Sequence, residues 1–209
     1  MQRKYHDIIA SLLVVCFGMV VLAIGTDGFQ AFTSEQARTN QLISEQPVIP
    51  NIMIEDSKAR LYPIDEFQEN TFLFVTFMYT NCGTVCPQLE RNMQKVYEIL
   101  PEKYINEKVR FLSISFDTDT DDPETLATYQ SYFDSDGETW RMARIPSEIE
   151  LQQLLDQLGV IVIPDDYGNF QHNSAFYLLN EYRQLVDVMD YTKVEQAAKT
   201  ITQHIEEKF

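Results

Sequence analysis

Read as a pattern of apolar and polar positions, the chain alternates strand-like runs with segments of helical period. Thr71 to Met78 (TFLFVTFM) is a continuous β-branched and aromatic run, which predicts a central strand buried on both faces. Val109 to Phe116 (VRFLSISF) predicts a second buried strand. Shorter strands are expected at Ile52 to Ile54, Ala59 to Tyr62 and Trp140 to Ala143. Leu89, Met93, Val96, Tyr97 and Leu100 fall at helical spacing, and Pro101 ends that pattern. Asp122-Pro123 supplies an N-cap and a first-turn proline for a helix that turns Leu126, Tyr129 and Phe133 inward. Ser147-Glu148-Ile149-Glu150 is a capping box ahead of Leu151, Leu154, Leu155 and Leu158, and Gly159 stops that helix.

Ile161 to Gln171 carries Pro, Asp and Gly and reads as a loop. Ser174 to Leu179 and Gln184 to Met189 form a hairpin pattern around Asn180-Glu181-Tyr182-Arg183. A second capping box, Thr192 to Glu195, opens a last helix with Val194, Ala197, Ala198, Ile201 and Ile205 on one side. Strands alternating with helices, then a hairpin and a helix, predict an α/β sandwich around a mixed sheet. There is no internal repeat.

The N-terminal pattern differs. Positions 8–26 are free of charge, close to the ~20 residues that span a bilayer as a helix. Arg3 and Lys4 precede this run, whereas Asp27 and Glu35 follow it. That bias leaves 1–7 in the cytoplasm and makes 8–26 a single-pass anchor in the inner (cytoplasmic) membrane. Everything after it lies on the exported side, periplasmic or equivalent. A cleaved signal peptide competes, since Ala23-Ile24-Gly25 is a small-x-small site. Cys16 lies inside the run and reads as a membrane-facing apolar residue. Residues 27–46 are polar without an apolar period and read as a tether. Residues 47–209 form the single exported domain.

Composition narrows the partners. A net charge of −16 and a pI near 4.4 argue against nucleic acid, because phosphate binding relies on Lys and Arg. Thirteen Phe and eleven Tyr among 44% hydrophobic residues are enough for a sizeable core.

The chemistry concentrates in Tyr79-Thr80-Asn81-Cys82-Gly83-Thr84-Val85-Cys86-Pro87, where a strand gives way to a helix. Two thiols one helical turn apart at a helix N-terminus are favoured as thiolates, the form that binds metal and attacks disulfides. An exported domain also permits their oxidation. A purely structural disulfide is poorly motivated, because so short a loop removes little chain entropy. Two thiolates fall short of a closed zinc site but with one imidazole suit Cu(I), or Cu(II) with a further ligand. Of three histidines, His6 precedes the anchor and His204 falls on the polar face of the last helix. His172 stands in a loop just before a strand, as a candidate third ligand or an ordinary surface residue.

Phe77-x-Tyr79-Thr80-x-Cys82-x-x-x-Cys86-Pro87, then Ser113-x-Ser115-x-Asp117 with Pro123-Glu124-x-Leu126, then His172-x-Ser174-Ala175, resembles the Sco/SenC family in order and spacing. These are membrane-anchored, thioredoxin-like copper proteins. The resemblance covers the chain from about Pro47 to its end. It implies a thioredoxin-like fold and copper held by Cys82, Cys86 and His172. It also implies a role in assembling the dinuclear copper centre of cytochrome c oxidase, with subunit II as the copper acceptor, beside a copper donor or thiol–disulfide partner. Gly83-Thr84 stands where the family often has Pro-Asp, and Asp117 to Glu124 departs from its usual acidic loop. Three functions remain in view. A metallochaperone needs all three ligands. A thiol–disulfide reductase needs only the cysteines, and the three intervening residues count against it. A redox or copper sensor is the third; peroxidase chemistry ranks last, with no proline-threonine-cysteine motif before Cys82.

Overall fold

The computed structural model of the chain describes residues 2–26, 28, 31, 33–105 and 107–208, with the side chains of 2–5, 7, 8 and 10 outside the described set. The chain divides into two compact units, Met1–Glu45 and Gln46–Phe209.

The first unit contains α1 (Gln2–Gly25) and α2 (Ser34–Glu45). The anchor expected at 8–26 falls on α1, where the described apolar side chains, Leu12, Leu13, Val14 and Phe17 among them, are exposed. Among the described residues no helix is long and apolar enough to cross a membrane. The stretch read as a tether is helical over half its length. Thr33 Oγ1 accepts the Gln36 N–H at 3.1 Å, Arg38 pairs with Glu35 at 2.5 Å and Gln41 bonds Glu45 at 2.7 Å. Local capping and i,i+3/i,i+4 pairs thus form α2 without an apolar stripe.

The second unit opens on an antiparallel pair, β1 (Met53–Asp56) and β2 (Leu61–Pro63), followed by the short α3 (Ile64–Gln68). Then come β3 (Phe72–Met78), α4 (Val85–Ile99), β4 (Val109–Ser115), α5 (Pro123–Gln130), β5 (Trp140–Arg144) and α6 (Glu148–Gln157). The two-stranded β6 (Val162–Pro164) and β7 (Phe170–His172) precede β8 (Phe176–Leu179), β9 (Leu185–Met189) and α7 (Val194–Lys208). One seven-stranded sheet runs β2-β1-β5-β4-β3-β8-β9, with β3–β4 and β4–β5 parallel and the remaining pairs antiparallel. This mixed sheet flanked by helices is the thioredoxin-like α/β arrangement.

The predicted runs become the sheet centre because they offer apolar side chains to both faces. Every residue of β3 is buried, and so is all of β4 except Arg110. Phe74 stands at the middle, its ring 5.3 Å from Phe111 and 4.8 Å from Phe176. Asp122 caps α5 by accepting the Thr125 N–H at 2.8 Å, and Ser147 caps α6 through Glu150. Gly159 leaves α6 at φ +61°, a conformation that an L side chain resists.

Three expectations change. Residues 161–171 are not merely a loop: β6 and β7 pair antiparallel, Val162 opposite His172, as a ribbon separate from the main sheet. Thr192 sends its hydroxyl to Asp190 Oδ1 at 2.7 Å, tying the turn before α7. His204 is half-buried, its ring 6.2 Å from that of Phe72 and its Nε2 3.8 Å from Asp187.

Candidate metal centre

Strand β3 delivers the chain to the site and a carboxylate fixes its exit. Asp121 accepts the Thr80 N–H at 2.9 Å, the Thr80 hydroxyl at 2.5 Å and the Ser115 hydroxyl at 2.5 Å. The turn then closes with Cys82 N–H donating to the Tyr79 carbonyl at 3.3 Å. Burial raises the Asp121 pKa, and the Ser115 and Thr80 hydrogen bonds pull the other way.

Helix α4 begins one residue before Cys86. Its N-cap, Thr84, makes no side-chain capping bond, and the Cys82 sulfur takes that part by accepting the Cys86 N–H at 3.4 Å. Pro87 in the first turn removes an N–H that would have lacked a partner. Both thiols are free and buried, Cys86 completely. Burial opposes ionisation of Cys82, but hydrogen bonds from the Cys86 thiol, the Cys86 N–H and Thr84 outweigh it and hold its pKa below the ordinary thiol value. Burial pushes Cys86 up, reinforced by the Cys82 sulfur. The helix N-terminus thus favours a thiolate at Cys82, while burial at Cys86 overrides the same effect.

The ribbon brings in the third candidate. His172 ends β7, and its Nε2 lies 3.6 Å from Cys86 Sγ. Its Nδ1 faces the Asn173 carbonyl at 3.2 Å and the Ser174 hydroxyl at 3.4 Å. A carbonyl only accepts, so Nδ1 carries the hydrogen and Nε2 presents its lone pair toward Cys86. Burial lowers the His172 pKa against a smaller opposing effect of the Asn173 carbonyl, which keeps the ring neutral. The Phe116 ring packs edge-on against the imidazole, 5.0 Å between centroids.

The structure therefore joins Cys86 to His172 directly and joins Cys82 to Cys86 through a backbone N–H. Among the described residues no group of three or more His, Cys, Asp or Glu side chains is gathered tightly enough to hold a metal ion. Metal–ligand bonds of roughly 2.0–2.3 Å, as imidazole and thiolate make to zinc, put two donors on one ion about as far apart as Cys86 and His172 stand. A soft N/S donor pair at this spacing fits a thiophilic metal. Sequence reasoning missed Phe116, Asn173 and Asp121 as supports of the site. Asp121 had a signal in the acidic run. Phe116 had none, because its partner His172 is distant in sequence, and Asn173 acts through its backbone carbonyl on the adjacent His172, which no side-chain pattern marks.

The SCO1/SenC family profile matches residues 64–208. The chain belongs to the SCO1/SenC family. A SCO1 protein homolog of Bacillus subtilis (strain 168) is 24% identical over 147 residues, covering 69% of this chain and 68% of the homolog. The copper-bound structure of Bradyrhizobium japonicum ScoI superposes with a TM-score of 0.62 at 21% identity, over 75% of this chain and 98% of that one. BsSco, a member of the Sco family of cytochrome c oxidase assembly proteins with an identified disulfide switch, gives 0.61 at 19% identity, over 76% and 95%.

Proposed function

We propose that the chain is a copper-carrying metallochaperone that assists assembly of the dinuclear copper centre of cytochrome c oxidase, with copper as its cargo on Cys82, Cys86 and His172. The observation that carries this reading is the 3.6 Å approach of Cys86 Sγ to His172 Nε2. It gains support from family membership and from the copper bound in Bradyrhizobium japonicum ScoI. Cys82 is the readier thiolate, His172 is neutral with its lone pair inward, and Cys86 gives up its proton when the metal arrives. Rotation of the Cys82 side chain away from the Cys86 N–H completes the set. Oxidising the two thiols to a disulfide releases two electrons and two protons and removes both sulfur donors, so redox state gates loading. The acceptor is subunit II of the oxidase.

We also read α1 as a single-pass anchor at 8–26 that holds 47–209 on the exported side. Exposed apolar side chains around α1 support it, as do the cations before and acids after it.

A second reading has its own observation. A lowered Cys82 pKa beside a raised Cys86 pKa suits a thiol–disulfide reductase, with Cys82 attacking and Cys86 resolving. Copper titration of the reduced chain, read by metal content and absorption, separates the two. The metallochaperone binds one copper and loses at least tenfold in affinity in Cys82→Ser and His172→Ala. Unchanged affinity and spectrum in His172→Ala overturn the three-donor site, and wild-type disulfide turnover by that variant favours the reductase.

A further inference from the structure

His172 rides on a ribbon that forms no part of the seven-stranded sheet, so its position over Cys86 depends on what ties the ribbon to the domain. One tie is a hydrogen bond: the Phe170 backbone N–H donates to the Tyr79 hydroxyl at 3.3 Å. Phe170 stands opposite Pro164, at the far end of β7 from the Val162–His172 pair. Its N–H is free to leave the ribbon and meet Tyr79.

Tyr79 is well placed to act on the whole site. It is the first residue after β3, three before Cys82, and only 3% exposed. Its ring lies 5.1 Å from Phe170 and 5.4 Å from Phe116, and Phe116 in turn lies 5.0 Å from the His172 ring. The phenol thus reaches the ribbon backbone while its ring joins the aromatic packing beside the imidazole. Burial raises the phenol's pKa, opposed by the Phe170 N–H and reinforced by the neighbouring Cys82 sulfur, so the group stays a neutral hydroxyl.

We infer that Tyr79 is a positioning residue, a latch whose hydroxyl holds the β6–β7 ribbon closed over the thiols and so slows departure of copper from the site. The release step rests on the three-donor reading above; the latch itself does not, because the Phe170–Tyr79 hydrogen bond involves none of the three donors. Opening the ribbon carries His172 off Cys86 and leaves the metal on two thiolates, where an incoming ligand can take it.

The test uses the reduced full-length chain and Tyr79→Phe, which deletes one oxygen and keeps the ring. In the metal-free protein, amide exchange at Phe170 is expected to quicken about three- to tenfold, the effect of one ordinary hydrogen bond, with exchange at Phe74 and Leu112, which open only on global unfolding, staying far slower. With Cu(I) loaded, release to a chelator is expected to quicken by a similar factor, with the unfolding midpoint lowered by no more than the loss of that one hydrogen bond. Wild-type exchange at Phe170 in Tyr79→Phe overturns the latch. Faster exchange with wild-type copper release overturns its control of the metal. His172→Ala run in parallel identifies a failure of the three-donor reading: if that variant binds copper like wild type, the ligand set is wrong, and the exchange result still decides the latch.

Discussion

Cys86 Sγ and His172 Nε2 stand 3.6 Å apart although they are 86 positions apart in the chain, and the imidazole is oriented by the Asn173 carbonyl behind it. The contact is a thiol donating to a neutral ring nitrogen, and this fixes how metal binding responds to pH. Burial holds the Cys86 pKa well above the ordinary thiol value, so this group is protonated at every pH of interest and must release a proton when metal enters. The sign follows: lowering the pH adds the competing proton and weakens binding. Burial of His172 depresses its pKa, so imidazole protonation adds to the competition only in acid. Between about pH 6 and pH 8 the apparent copper affinity should rise at least about tenfold per pH unit, the Cys86 proton being released as metal binds. Competition titrations at three pH values measure this slope, and a flat profile would contradict Cys86 as a ligand that loads from its protonated form.

The two thiols differ in environment and should differ in reactivity. Cys82 is favoured as thiolate by hydrogen bonds that outweigh its burial, whereas Cys86 is fully buried and raised. At pH 7 iodoacetamide should modify Cys82 at least about tenfold faster than Cys86, since only the thiolate reacts. Peptide mass spectrometry of a time course reads both sites, and preferential labelling of Cys86 would reverse the assignment of attacking and resolving thiol.

Asp121 gathers three donors from two segments, Thr80 and Ser115, and so sets where the cysteine loop leaves the sheet. Asp121→Ala leaves the Thr80 N–H and two hydroxyls without their acceptor in a buried place. The expected loss is roughly 2–4 kcal/mol in urea unfolding, from several hydrogen bonds to one charged acceptor. Asp119, exposed and outside these contacts, is the control, and Asp119→Ala should stay within about 0.5 kcal/mol of wild type. Equal losses in the two variants would remove Asp121 from this role.

What could be read from the sequence was whatever a short window decides. The apolar runs at Phe72–Met78 and Val109–Ser115 announced buried central strands because both faces of a parallel pair need apolar side chains. Asp122 and Ser147 announced helix starts because capping is a matter of three residues. The same logic was present and overlooked at Thr33-Ser34-Glu35-Gln36, a capping box at the start of α2 that lacks the apolar period used to recognise helices. The β6–β7 ribbon was illegible for a different reason. Its strands have three residues each, Ile163 is exposed, and the pairing of Val162 with His172 is settled by contacts with Tyr79 and Phe116 that no window contains. The cysteine pair was evident from spacing, but its asymmetry was not, because burial of Cys86 depends on the whole domain closing over α4.

Glu90 gives the last prediction. It lies one turn beyond Cys86 on α4, wholly buried, with Oε2 accepting the Ser113 hydroxyl at 2.8 Å. Trp140 Nε1 donates to the same Ser113 oxygen at 3.1 Å, and the second Glu90 oxygen has no hydrogen-bond partner among the described residues. Burial, opposed only by the Ser113 hydrogen bond, raises the Glu90 pKa from 4.5 to about 8. The folded state therefore keeps a proton that the unfolded chain sheds above its ordinary value. Between pH 4.5 and about 8 the folded protein binds more protons than the unfolded one, so stability falls as pH rises across that window and levels off above it. The slope from this group is at most ~1.4 kcal/mol per pH unit. Glu90→Gln keeps the shape and an acceptor for Ser113 but cannot ionise. Urea unfolding of the reduced protein at pH 5 and pH 8 should show the variant close to wild type at the lower pH and more stable at the higher one. Comparing the two proteins cancels the contribution of Cys82, whose lowered pKa works in the opposite direction. Parallel pH profiles in wild type and variant would mean that Glu90 is ionised in the folded protein, with an unseen partner for its second oxygen.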